Sequence, residues 1–302
     1  MPDLTVTYLR SQEIDRQKWD NCINNAHNGL IYSSSIYLDM LADQWNAVVV
    51  GDYEAVMALP YRKKFFIKYH YHVPFMAQGG LIGNCNTRTL KMIAKIIFRH
   101  IRYGDLMLNF GNREYARLLK AVPVVNMVLD LSVQFPHIHK LYHNDLDKNL
   151  RRASRYELSF DTGNDVKQAI ELFRKQYASR LPSVRSLDFE RFTGLSLHLH
   201  KAGNAFIKKV SDKKGKLLAI GLFFADRKRI YNIMNTVLPD GRRKSANHFL
   251  FDQLIREYAE TGMLMDFEGS QVPGIRKFYA NFGAVNEPYF WHRRYPLQLG
   301  KF

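Results

Sequence analysis

Cysteine is almost missing from this 302-residue chain, which has only Cys22 and Cys85. Neither lies in a CxxC or beside histidines at ligand spacing. That excludes a disulfide framework and a thiolate metal site, and both residues read as buried, reduced thiols. Long apolar runs are lacking too: none approaches the ~18 residues that a membrane-spanning helix requires. The opening Met1-Pro2-Asp3-Leu4-Thr5-Val6 has no basic stretch followed by an apolar one, so no secretory leader is read and a cytoplasmic location is expected. No GxSxG elbow or Cys–His pattern points to a covalent nucleophile. His70 and His72, His139 and His143, and His198 and His200 form close pairs, but no carboxylate or cysteine accompanies them at supporting spacing, and no metal is expected.

Acidic residues are also in short supply. Against 44 Lys and Arg there are 28 Asp and Glu, a formal charge of +16. A chain this basic is drawn to polyanions: phosphorylated donors, nucleic acid or anionic headgroups. Charge alone does not choose among them.

The local patterns that are present alternate strands and helices. In the second half, Asn164 or Asp165 caps a helix with Val166, Ala169, Ile170, Phe173 and Tyr177 on one face. Strands over 205–211 and 216–225 are joined by the hairpin signal Asp212-Lys213-Lys214-Gly215, and a third covers 230–237. After Pro239-Asp240-Gly241, a helix with Leu250, Phe251, Leu254, Ile255 and Tyr258 on one side closes at Gly262. A strand, a short helix around Tyr279 and an extended piece over 289–295 complete the chain. The first half repeats this order: strands over 4–9, 48–50, 55–60, 65–73, 106–110 and 125–131, helices over 14–23, 35–41, 87–101 and 113–119. Leu106-Met107-Leu108-Asn109-Phe110-Gly111 and Leu264-Met265-Asp266-Phe267-Glu268-Gly269 are each followed by a helix, the mark of a duplicated unit. The fold class expected is α/β with mixed sheets, in two tandem lobes over 1–145 and 146–302.

The run from Lys63 to His72 alternates. Phe65, Ile67, Tyr69 and Tyr71 share one face, with Lys64, Lys68, His70 and His72 on the other and Phe66 among them. One face is expected to enter the core and leave a basic stripe open. Two readings compete: a nucleic-acid stripe, in which rings stack on bases and cations meet phosphates, and an edge strand kept soluble by charge.

Ile275, Phe278, Tyr279, Phe282 and Gly283 fall on a pattern like A-x-x-L-Y-x-x-x-G-F, and this C-terminal half resembles a GNAT-type N-acyltransferase domain. The resemblance implies that Tyr279 is the acid that protonates the leaving group. Two further patches are similar to Fem-type aminoacyltransferases, which have tandem lobes of this kind. Asn149-Leu150-Arg151-Arg152-Ala153 resembles the tract where the second lobe begins in that group, and Val56 to Lys64 followed by Pro74-Phe75-Met76-Ala77-Gln78 resembles the first-lobe signature of uncharacterised Fem-like proteins. The GNAT donor loop, Q/R-x-x-G-x-G/A at a helix start, is represented by Gly241-Arg242-Arg243-Lys244-Ser245-Ala246-Asn247, which lacks the second glycine. Ser245 and Ala246 are small enough for close backbone approach, and Arg242, Arg243 and Lys244 would clamp donor phosphates; the competing reading is a solvated basic turn.

Acyl transfer to an amine also needs a proton acceptor and oxyanion donors. On a strand over 264–268, alternation sends Asp266 and Glu268 to one side. Glu268 is then the expected base or amine-orienting group, with Ser270 as a hydrogen-bonding neighbour and Asn232 and Asn235 as acceptor contacts. Against these stand bland readings: Glu268 as a turn carboxylate, Tyr279 as a core tyrosine. The reaction expected is transfer of an acyl group from acyl-CoA or aminoacyl-tRNA to an amine, a cell-wall precursor among the candidates, without metal or covalent intermediate. The alternatives are a catalytically inactive module that binds nucleic acid or an anionic membrane surface, and an acyl-CoA or acyl-carrier-protein enzyme acting on a small amine or lipid precursor.

Overall fold

The structure, a computed structural model, describes residues 5–295. Leu4, read as the first residue of the opening strand, lies outside them. The chain forms two compact units. In the first, strands β1 (Val6–Arg10), β2 (Trp45–Val50), β3 (Ala55–Lys64), β4 (Ile67–His70), β5 (Leu81–Ile82), β6 (Tyr103–Leu108) and β7 (Val122–Val124) alternate with helices α1 (Arg16–Asn25), α2 (Ser35–Leu41), α3 (Thr87–His100) and α4 (Arg113–Leu119). The second runs through β8 (Met127–Asp130), α5 (Phe135–His139), α6 (Asn144–Ala153), β9 (Ser159–Gly163), α7 (Val166–Tyr177), α8 (Ser186–Lys201), β10 (Ala205–Ser211), β11 (Leu217–Ala225), β12 (Arg229–Val237), α9 (Pro239–Arg243), α10 (Ala246–Tyr258), β13 (Leu264–Asp266), α11 (Pro273–Ala280) and β14 (Val285–Asn286). The last strand, β15 (Tyr289–Arg294), returns to the first unit and pairs with β6 and β7.

Contacts therefore divide the chain at Val124 and again at Glu287. The stretch 125–145 packs with the second unit because β8 pairs with β13 and β14. Each unit contains one parallel pair joined by a helix: β4–α3–β6 in the first and β12–α10–β13 in the second. A helix follows each, α4 and α11, so the duplicated unit read from 106–111 and 264–269 is present, one copy in each unit of an α/β fold with mixed sheets.

Spacing explains the helices. Asp165 caps α7 by accepting the Gln168 N–H at 2.9 Å. Leu250, Phe251, Leu254 and Ile255 bury one face of α10. Phe251 is central, with rings of Phe223, Phe267, Phe278, Tyr279 and Phe282 around it. Removing a ring of this kind costs roughly 3–5 kcal/mol. Gly283, last residue of the Tyr279 pattern, has φ +81°, and a Cβ there would meet Leu141 Cβ at 2.4 Å; only glycine fits. The helix α8 is absent from the sequence reading, although Phe189, Phe192, Leu195 and Leu199 keep a helical spacing.

Two extended stretches differ from expectation. The run 65–73 is interrupted by a turn at Phe65 and Phe66, where Phe65 has φ +54°, because β3 folds back on β4 with Lys64 opposite Ile67. Phe65 and Ile67 consequently stay in solvent, while His70 enters the core and its Nδ1 bonds Pro60 O at 3.1 Å, so no continuous basic stripe forms. The strand 264–268 ends at Asp266, since Glu268 has φ +53° and leaves the pleat. Cys22 and Cys85 are half-buried free thiols, each with its pKa raised to about 11 by burial.

Candidate active site

Strand β12 is the spine of the second sheet, antiparallel to β11 on one side and parallel to β13 on the other. The parallel pairing runs over Arg229↔Leu264, Ile230↔Met265 and Tyr231↔Asp266. Beyond Tyr231 no strand among the described residues pairs with β12 on that side, because β13 has ended and the chain turns through Glu268 and Gly269. At the same level β12 carries an extra residue: Phe223 is opposite Asn232 and Leu222 opposite Met234, leaving Ile233 as a bulge. A bulge bends its strand and re-aims its side chains. The sheet thus opens where Asn232 lies.

Into this opening α11 brings Tyr279, whose side chain is buried and stacked on Phe267, with ring centroids 4.5 Å apart. Asn232 Nδ2 donates to Phe267 O at 3.1 Å and to the Tyr279 hydroxyl at 2.9 Å. A carbonyl can only accept, so Phe267 O decides which way the Asn232 amide faces. The Tyr279 oxygen is therefore an acceptor in this bond, and its own proton is directed elsewhere. Burial first, and then the nearby Glu268 carboxylate, push the Tyr279 pKa well up, which keeps the phenol protonated at neutral pH. Asn232 Oδ1 is buried without a partner, as is Asn235 Nδ2 further along β12. Each such orphan costs about 1–3 kcal/mol and calls for an explanation; a substrate that occupies the opening would supply one. No hydrogen bond among the described residues joins Asn235 to Tyr279.

Glu268 is half-buried and close enough to Tyr279 to act on its titration. Asp266, paired with it by alternation in the sequence reading, turns the other way into a buried ion cluster. Its carboxylate accepts from Asn126 Nδ2 at 3.0 Å and from Arg229 at 3.2 Å, and Arg229 also pairs with Glu287 at 2.7 Å. Ser270 is buried; its Oγ accepts the Met127 N–H at 3.1 Å and donates to Glu268 O at 3.3 Å. Ser270 thus ties the turn that carries Glu268 to β8.

The basic turn before α10 is largely paired. Lys244 bonds Asp212 at 3.0 Å and Arg243 bonds Asp240, and these contacts with Lys216 on Asp240 hold both carboxylates below their usual range. Arg242 is exposed, and no ion pair among the described residues involves it. Gly241 is buried against β11 so closely that a Cβ would meet Leu218 O at 2.1 Å. Ser245 takes φ +54° as the residue before α10, and its Oγ donates to Asn149 Oδ1 at 3.0 Å. Ala246 is buried behind it. The first N–H groups of α10 have no intrahelical acceptor and form the positive end of the helix dipole.

Two residues at the site escape sequence reading. Tyr177, at the end of α7, acts on the Tyr279 titration, and its hydroxyl accepts Gln176 Nε2 at 2.8 Å. His248, in the first turn of α10, lies edge-on to Phe278 at 4.9 Å, and burial followed by Arg152 pushes its pKa down to about 4. Tyr177 was legible only as a core position of an amphipathic helix. Its proximity to Tyr279 is a tertiary fact.

Residues 142–273 match the family model described as an acetyltransferase (GNAT) domain. In structure the chain is similar to FemX, at 12% identity and a TM-score of 0.69, over 95% of this chain and 97% of that one. It is similar to the C-terminal domain of a protein from Agrobacterium fabrum assigned as a lysylphosphatidylglycerol synthetase, at 13% identity and a TM-score of 0.55, over 91% and 90% of the two chains. L-PGS from Bacillus licheniformis follows at 10% identity and a TM-score of 0.53, over 93% and 92%. No curated protein matches the sequence. At such identities the solved structures speak for the fold.

Proposed function

We propose, for a chain that carries a GNAT-superfamily acyltransferase domain in a FemX-like tandem fold, that the opening beside Asn232 and Tyr279 transfers an acyl or aminoacyl group from a phosphate-bearing carrier directly to an amine. The observation that carries this reading is the Tyr279 hydroxyl: protonated, its oxygen held by Asn232, at the level where the sheet opens. The amine nitrogen attacks the carbonyl carbon of the thioester or ester. The tetrahedral intermediate collapses by breaking the C–S or C–O bond, and the Tyr279 proton goes to the departing sulfur or ribose oxygen. The amine's proton passes to Glu268, directly or through one water, and the amide is left. Asn232 Oδ1 offers an acceptor to the incoming N–H. Arg242 and the start of α10, with Ser245 and Ala246 close behind, bind the donor phosphates; Arg243 and Lys244 brace that turn through Asp240 and Asp212. Neither acyl-CoA nor aminoacyl-tRNA is favoured by the residues alone. The resemblance to Fem-type aminoacyltransferases supports an amine on a cell-wall precursor as the acceptor, and the lysylphosphatidylglycerol synthetase named among the structural neighbours supports a lipid-borne acceptor, met on the cytoplasmic side.

The test is to incubate the protein separately with acyl-CoA and with charged tRNA, each against a panel of amines, and to identify N-acylated products by mass spectrometry. Product with one donor and loss of that product in Tyr279→Phe supports the reading. A folded protein that binds a donor yet makes no product with any amine favours the inactive binding module instead.

A further inference from the structure

The turn between β3 and β4 does something a soluble hairpin normally avoids. Phe65 and Phe66 are 87% and 101% exposed and Ile67 58%. Their side chains contribute nothing to the core, so folding does not account for them. Phe65 also holds φ +54°, an unfavourable conformation for an aromatic residue. Lys63 stands opposite Lys68 and Lys64 opposite Ile67 in the hairpin register, which puts three ammonium groups directly behind the apolar tip. The parallel pairing of β4 with β6 begins only at Tyr69↔Tyr103, and β15 reaches the same end, with Arg294 opposite Gly104. The tip therefore projects past the end of the sheet where Arg102 and Arg294, both exposed, also lie. Lys68 also lines a surface depression with Arg10 and Glu13, where the two opposite charges offset each other and the cationic collar ends.

We propose that the Phe65-Phe66-Ile67 tip and its basic collar form an insertion finger that docks this lobe on an anionic lipid bilayer. Apolar tip and cationic base match the two layers of a bilayer interface, the rings entering at the acyl boundary while Lys63, Lys64, Lys68, Arg102 and Arg294 meet headgroup phosphates. A second copy of the chain is a poor occupant, since two collars of like charge would face each other. Nucleic acid is a poorer one as well: base stacking uses rings laid flat on a rigid surface, whereas these two are adjacent at an unsupported turn. The inference stands on the first lobe and is independent of the reaction assigned to the second.

Co-sedimentation with vesicles tests it. The wild-type protein is expected to bind vesicles of phosphatidylcholine with about one-third phosphatidylglycerol far better than phosphatidylcholine alone, and to release as salt rises. The double variant Phe65→Asn, Phe66→Ser should lower the partition coefficient about a hundredfold, roughly tenfold per ring. Lys63→Gln, Lys64→Gln, Lys68→Gln should lose a similar factor on anionic vesicles only. Phe66→Trp should add a component whose emission shifts to the blue with anionic vesicles and is quenched by brominated lipid. The altered residues are exposed except Lys68, which is half-buried with its Nζ over the Tyr61 ring, and unchanged melting curves show that the variants fold. The proposal is overturned if the wild type does not sediment with anionic vesicles at low salt, if the double phenylalanine variant sediments equally well, or if tRNA displaces the vesicles and loses its own binding in both variants.

Discussion

Asn232 donates one amide to two acceptors, the Phe267 carbonyl and the Tyr279 hydroxyl, and by doing so decides the direction of the tyrosine's proton. A helix residue is thereby oriented by a strand residue forty-seven positions earlier, at the one level where β12 has parted from β13.

Tyr279→Phe removes only the hydroxyl. If that group is the acid, turnover should fall ~100-fold or more, with donor and acceptor constants little altered. Packing on Phe267 and Phe251 is kept, and Asn232 Nδ2 still bonds Phe267 O, so the stability loss should be about 1 kcal/mol. Kinetics and thermal melting on one preparation decide; full turnover with lowered stability assigns Tyr279 to the core alone.

The basic turn should separate into two behaviours. Arg242→Ala is expected to raise the donor constant about tenfold, the worth of a charge-assisted phosphate contact, without moving the melting temperature. Lys244→Ala should chiefly loosen the β10–β11 hairpin through Asp212, visible as faster amide exchange over 212–216. Equal donor constants for wild type and Arg242→Ala would return this turn to solvent.

Acid should weaken the fold through two histidines. His70 and His248 are pushed down to about 4 mainly by burial, from an ordinary value near 6.5. Both are neutral in the folded chain and take up protons first when unfolded. Their contribution is complete above pH ~6.5 and is lost as pH falls toward 4, by about 3 kcal/mol for each, from ~1.4 kcal/mol per pH unit. Urea midpoints between pH 7.5 and 4.5 should therefore drop more steeply for the wild type than for His70→Gln. Parallel curves would show that His70 does not titrate in this way.

Much of the architecture was legible in the residues. The periodicities of α7 and α10 and the Asp212–Gly215 turn are local signals, set by side chains within a few positions of one another, and they need no partner to be read; the helix end does not follow them, since α10 stops at Tyr258 and not at the Gly262 read as its close. The Tyr279 pattern was legible by resemblance, and the structure gives the reason for its Gly283, which has φ +81° and packs against the distant Leu141. Local signals also mislead when a distant constraint intervenes. Alternation put Asp266 and Glu268 on one face, yet the chain leaves the sheet after Asp266, and Arg229 and Asn126 take its carboxylate. The aromatic run at 65–71 looked like a strand with one face inward, yet the turn that closes β3 on β4 throws Phe65 and Phe66 into water.

Sequence alone thus determined most of the order of elements, α8 excepted, and the kinds of residue available for acyl transfer, because hydrophobic spacing and turn chemistry act over short range. Tertiary structure alone decided that Ser270 braces a turn, that Arg243 and Lys244 are occupied by Asp240 and Asp212, and that Asn232 meets Tyr279. Hydrogen bonds and ion pairs depend on distance and direction in space, which the register of β12 against β11 and β13 settles and no linear spacing encodes.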